Sequence, residues 1–111
     1  MEIATEELPG GITRVILVGS LDIAGAAAVD LRMNEIADAH EIVLVDLRQV
    51  SFIGSMGLSA LVAPARTIKS RGGKMVLVGP NQMVGEVLKS TLVDTFIPVF
   101  SDLETAIAAV Q

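Results

Sequence analysis

Residues 46–58, DLRQVSFIGSMGL, decide how this chain folds. The apolar run Ile42 to Val45 leads into them and reads as a buried strand. Beyond them, apolar residues return at helical spacing, at Leu58, Leu61, Val62, Ala65 and Ile68. A strand therefore ends in the turn Gly54-Ser55-Met56-Gly57, and Ser55 sits where a helix begins. A helix N-terminus carries unpaired N–H groups and the positive end of the helix dipole, so it favours negative charge. A serine there can cap the helix, attack a substrate or accept a phosphate. As a cap it would make Ser55→Ala cost about 1 kcal/mol.

Working outward, Ile3 to Leu8 and Ile12 to Val18 read as strands joined by Pro9-Gly10-Gly11, an antiparallel hairpin. Gly19-Ser20-Leu21-Asp22 ends the second strand, and Asp22 caps a helix running to about Ala39. Ala26, Val29, Met33 and Ile36 form its apolar stripe. Glu41 to Leu47 is a strand buried on both faces. The helix from Gly54 to Arg71 contains Pro64, which removes one hydrogen bond and bends a single helix; Gly72-Gly73 ends it. Lys74 to Val78 is the next strand, and Pro80-Asn81 opens a helix through Leu88 or Ser90. Ile97 to Phe100 carries Pro98, which suits an edge strand. Ser101-Asp102-Leu103-Glu104 reads as a capping box before a last helix with Leu103, Ile107 and Val110 apolar. Strands alternating with helices make this α/β: one domain over residues 1–111, with a single mixed β-sheet of four to five strands and about four helices packed on it.

The composition narrows the function. The chain of 111 residues is 51% hydrophobic, with mean hydropathy +0.63. Asp22, Asp30, Asp46, Arg66 and Lys69 nevertheless interrupt its apolar runs well before the ~20 residues that a membrane span needs. Met1-Glu2-Ile3 lacks the basic region of a signal peptide, so a cytoplasmic protein is expected. With no cysteine, disulfides and zinc–thiolate sites are excluded. Net charge is −5, aromatics are 3% and only eight residues are basic. Arg66, Lys69, Arg71 and Lys74 read as the solvated end of a helix, and direct nucleic-acid binding is disfavoured.

Enzymatic readings of Ser55 find little support. In GSMG one residue separates Ser55 from the second glycine and Gly54 adjoins it, which does not match the G-x-S-x-G nucleophile elbow. The only histidine, His40, falls at the far end of a helix, where it suits the dipole. No phosphate-binding P-loop is present. Asp22, Asp46 and Asp94 form no evident metal or paired-carboxylate site; Asp22 reads as a cap and Asp46 as a strand-end carboxylate accepting loop N–H bonds. No catalytic residue, metal or cofactor is expected.

Three stretches carry a resemblance: Gly19-Ser20-Leu21-Asp22, then Asp46 to Leu58, then Gly72-Gly73-Lys74-Met75-Val76-Leu77-Val78. In this order they resemble the STAS domain, and specifically the bacterial anti-sigma factor antagonists, across essentially the whole chain. Two positions depart from the usual pattern, Gly54 where the family often has Asp and Met56 where it often has Ser. The resemblance implies the STAS fold and a non-enzymatic binding module. In such a module the unphosphorylated antagonist binds an anti-sigma factor that is also an ATP-binding serine kinase, and frees a sigma factor. Phosphorylation of the residue matching Ser55 releases the partner, and a separate serine phosphatase resets the switch.

The partner surface is expected on three loops gathered at the strand C-terminal ends, Ser20 to Ala24, Ile53 to Leu58 and Gly79 to Met83. Ser20, Asp22, Ile53, Gly54, Met56, Gly57, Asn81 and Met83 are its candidate contacts. Met56 and Met83 either supply adaptable apolar contacts or pack in the core. Ser51 and Ser59 are the rival phosphoacceptors. No membrane contact is expected, and the chain itself would be a monomer or weak dimer. The alternatives are a non-switching STAS scaffold in a transporter-associated or stress-sensing complex, and a small-ligand or nucleotide-binding domain, for which no cradle is visible.

Overall fold

A computed structural model describes residues 1–111. The hairpin is present: β1 (Glu2–Leu8) pairs antiparallel with β2 (Ile12–Leu21), from Glu2 opposite Val18 to Leu8 opposite Ile12. The chain continues through α1 (Ile23–Ala39), β3 (Ile42–Ile53), α2 (Ser55–Ser70), β4 (Lys74–Val78), α3 (Gln82–Ser90), α4 (Val93–Phe96), β5 (Val99–Phe100) and α5 (Leu103–Val110). The five strands form one sheet in the order β1-β2-β3-β4-β5, with every pair after the first parallel. No helix is long and apolar enough to cross a membrane.

The sheet separates two apolar layers. On one face, Val15, Leu17, Val43, Val45 and Leu77 pack with Val29, Met33 and Ile36 of α1, Leu61, Ala65 and Ile68 of α2, and Val84 and Leu88 of α3. On the other face, Ile12, Leu44, Val76 and Val78 meet Ala106 and Val110 of α5. The expected stripe of α1 is buried at all four positions. Both faces of β3 and β4 are therefore covered, which accounts for their continuous apolar runs.

Several boundaries differ from expectation for identifiable reasons. Both central strands are longer. β2 does not stop at Val18 but continues through Leu21, and β3 does not stop at Leu47 but continues to Ile53. The pairing is held across two register shifts, between Ile16 and Val18 and between Gly19 and Ser20. Arg48 and Gln49 are exposed strand residues there, not a loop. α2 runs through Pro64 as one helix. α4 has only four residues, too few to leave a periodic signature in the sequence. β5 is shorter than expected but lies at the sheet edge, with Pro98 just before it. The last helix is capped by Asp102, whose side chain accepts the Thr105 N–H at 2.7 Å, so the expected box beginning at Ser101 is shifted by one residue.

Candidate functional site

The parallel strands deliver three helix N-termini to one rim of the sheet. At α1, Asp22 Oδ1 accepts the Gly25 N–H at 2.8 Å, the expected cap. At α3, Asn81 Oδ1 accepts the Val84 N–H at 2.8 Å, while its Nδ2 donates to the Val50 carbonyl at 3.3 Å and ties this loop to β3. At α2 the capping position is Gly54, and no side chain caps the helix. Ser55 is the first helical residue and is exposed. The capping role open to Ser55 is thus absent: a serine must sit one residue earlier, in extended backbone, to reach the N–H groups of the first turn. Gly54 occupies that position with φ −109° and ψ −173°. The first intrahelical bond runs from Leu58 N–H to the Gly54 carbonyl at 2.9 Å, which leaves the preceding N–H groups of α2 without intrahelical acceptors.

Two glycines let this rim close. A Cβ on Gly57 would lie 2.3 Å from the Leu21 carbonyl oxygen, and one on Gly25 would lie 1.9 Å from the Ser20 carbonyl oxygen. The first turns of α1 and α2 are therefore pressed directly onto the end of β2, where only hydrogen fits. The Gly54 N–H completes the junction by donating to the Leu21 carbonyl at 3.0 Å.

The expected contact residues separate into two groups. Asp22, Met56, Asn81 and Met83 are exposed, and Ser20 and Gly54 are half-buried. Met56 is 52% and Met83 48% accessible, so neither packs in the core. Ile53 and Gly57 are buried and cannot offer side-chain contacts; Ile53 anchors the end of β3 in the core and Gly57 seats α2 on β2. Ser51 lies in β3 with its hydroxyl donated to the Gly19 carbonyl, and Ser59 lies farther along α2.

Two exposed apolar residues of the rim were not among the named contacts, although Ile23 falls within the expected loop Ser20 to Ala24. Phe52, the penultimate residue of β3, places its ring beside Gly54 and is 44% accessible. Ile23 is 75% accessible and lines a shallow groove between α1 and α2 with Ala26, Ala27, Met56, Ala60 and Ala63. It lies off the buried stripe of α1, on the ridge of exposed Ala27 and Leu31.

A second polar cluster lies on the α5 side of the sheet. Asp46 is buried inside β3, not at a strand end, and its carboxylate accepts Arg14 Nη2 at 2.6 Å, Arg48 Nη2 at 2.7 Å and the Arg48 backbone N–H at 3.0 Å. Arg14 also reaches Glu6 at 3.1 Å. Burial pushes the Asp46 pKa up, but the hydrogen bonds from Arg48 and Arg14 together outweigh it and hold the pKa at about 2. At the opposite pole, His40 closes α1, and its Nδ1 lies 2.9 Å from the Thr13 hydroxyl, which also contacts Glu7. His40 is thus tied to the hairpin, away from Ser55. No group of three His, Cys, Asp or Glu is arranged to hold a metal.

The STAS domain profile matches residues 3–106. A Thermotoga neapolitana protein, a homologue of TM1081 and a candidate anti-sigma factor antagonist, is 32% identical over 69 residues. The match covers 62% of this chain and 61% of that protein, so the chain spans less than two thirds of that relative's length. The crystal structure of a candidate anti-sigma factor antagonist from Thermotoga maritima superposes with a TM-score of 0.90 at 22% identity, covering 97% of this chain and 93% of the other. An anti-sigma factor antagonist from Mycobacterium paratuberculosis gives a TM-score of 0.84 at 27% identity, covering 98% and 94%. With the α/β topology, the rim of helix N-termini and these likenesses in agreement, the chain belongs to the STAS domain family.

Proposed function

We propose that this protein is an anti-sigma factor antagonist whose unphosphorylated form binds an anti-sigma factor serine kinase through the Ser55 rim, and that phosphorylation of Ser55 releases the partner. The observation that carries this reading is the placement of Ser55: exposed, at the first residue of an α2 that no side chain caps, beside N–H groups without intrahelical acceptors. The antagonist names of the Thermotoga and Mycobacterium proteins support the same reading.

The physical consequence differs for the two molecules. A phosphoserine adds about −1.5 to −2 charges at neutral pH. In this chain that charge meets the positive end of α2 and its free N–H groups, so the fold tolerates it. A partner docked on Ser55, Met56 and Met83 meets a bulky dianion where a hydroxyl had been. Burying that charge without a matching cation costs several kcal/mol, and about 3 kcal/mol already weakens binding more than a hundredfold. A serine phosphatase then restores the binding form.

Incubation with the candidate kinase and ATP, followed by phosphosite mapping by mass spectrometry, tests the assignment. Phosphate on Ser55 is the expected result. Phosphate on Ser51 or Ser59 and never on Ser55 overturns it.

A further inference from the structure

The edge strand β5 covers only part of β4. Leu77 pairs with Val99 and Val78 with Phe100, while Lys74, Met75 and Val76 have no strand on their outer side. Pro98 sets this limit. The next rung of the parallel ladder needs an N–H from residue 98, and proline has none. A cleft of about 280 Å³ opens there, between the uncovered edge of β4, the end of α4 and the last turn of α5. It lies at the start of β4, the pole of the sheet opposite Ser55.

The cleft combines an apolar wall with positive charge. Val76, Phe96, Phe100 and Val110 line it, and so do Lys69 from the end of α2 and Lys74 from the start of β4. The Lys69 ammonium is held in place: Nζ donates to the Phe96 carbonyl at 3.2 Å and stands 4.3 Å from the centre of the Phe96 ring. No carboxylate lines the cleft, and neither lysine joins any ion pair of the molecule. Two cations beside an apolar wall match a ligand with one anionic end and one apolar end. The volume lies near the ~300 Å³ lower bound of small-molecule sites, so the ligand is small. The helix ends that reach the cleft, those of α2, α4 and α5, are all C-terminal. They offer carbonyls and no N–H groups, which disfavours a phosphate dianion and leaves a monoanion for the lysines to hold.

We propose that this cleft binds a small carboxylic acid with an apolar tail, its carboxylate held by Lys69 and Lys74 and its tail lying against Phe96, Phe100 and Val110. The site is separate from the Ser55 rim and does not depend on the partner-switching reading.

Titration of the whole chain with octanoate, followed through backbone amide shifts, tests this. Saturable shifts are expected at Lys69, at Lys74 to Val76, at Phe96 to Phe100 and at Val110, with the Ser55 rim unchanged. Octan-1-ol keeps the tail without the charge and binds about tenfold more weakly. Butyrate keeps the charge with four fewer methylenes and is also weaker by at least about tenfold. Lys69→Gln and Lys74→Gln each weaken octanoate about threefold, and the pair of substitutions removes saturable binding. Both lysines are exposed, so the fold is kept, as unchanged amide shifts in β1 and β2 would verify. Absence of saturable shifts, shifts scattered over the surface, equal binding of octan-1-ol, binding of inorganic phosphate at the same residues as tightly as octanoate, or indifference to the double substitution would each overturn the proposal.

Discussion

The Ser55 rim and the Asp46 cluster are the two polar centres of this molecule, and they are built on opposite principles. Asp46 is sealed in the sheet, and two arginines and a backbone N–H satisfy its carboxylate. Ser55 stands at the surface, on a helix start that no side chain caps, among exposed apolar residues. A buried charge with every partner in place holds a structure together, because removing any one partner leaves the others uncompensated. An exposed hydroxyl on a helix start contributes little to stability and remains free to react or to be covered. The difference separates the part of the motif DLRQVSFIGSMGL that is sealed into the fold from the part left exposed at its rim.

The largest effect expected from this contrast is at Asp46. Asp46→Asn should destabilise the domain by about 3 kcal/mol, measured by urea unfolding, since it leaves Arg14 and Arg48 without their carboxylate. The same substitution changes the acid response. The Asp46 pKa falls from 3.8 to about 2 on folding, so the folded state binds fewer protons than the unfolded one. The stability from this group is fully present above 3.8 and lost as pH falls through about 2. Asp46→Asn should therefore flatten the stability profile across that window. An unchanged profile would mean that the cluster does not anchor the sheet.

Next is the junction between the two regions. Gly57→Ala drives a methyl group into the Leu21 carbonyl and should cost about 1–3 kcal/mol, with partner binding lost in step as α2 lifts from β2. At Met56 stability and binding should separate. Met56→Ala should weaken partner binding by about 1 kcal/mol, read by calorimetric titration, with the melting temperature near wild type. A large stability loss with unchanged affinity would place Met56 in the core. Smallest of all, Ser55→Ala should change stability by less than about 0.5 kcal/mol, because the side chain caps nothing. A loss near 1 kcal/mol would restore the capping role.

What the sequence made legible follows the range of each interaction. The strand and helix order, the α1 stripe, the Asp22 cap and the start of α2 at Ser55 all depend on residues within one or two turns of each other. The Asp46 cluster does not. Arg14 lies 32 positions away, and only the parallel pairing of β2 with β3 brings it alongside. The carboxylate therefore read as a strand-end acceptor of loop N–H bonds. The extensions of β2 and β3 were hidden for the same reason: exposed Arg48 and Gln49 resemble a loop until two irregular strands are seen to pair beyond them. At the site, the position of Ser55 was readable but its capping role was off by one residue. Ile23 fell within the expected surface loop Ser20 to Ala24 but was not singled out, because its exposure depends on where α1 begins.

One titration tests most directly whether the rim acts as a switch. The proposed anti-sigma factor serine kinase is titrated calorimetrically with the unphosphorylated protein and with the same protein stoichiometrically phosphorylated on Ser55. The account predicts binding by the first form and affinity weaker by more than about a hundredfold for the second, the equivalent of about 3 kcal/mol. Equal affinity of the two forms would contradict it.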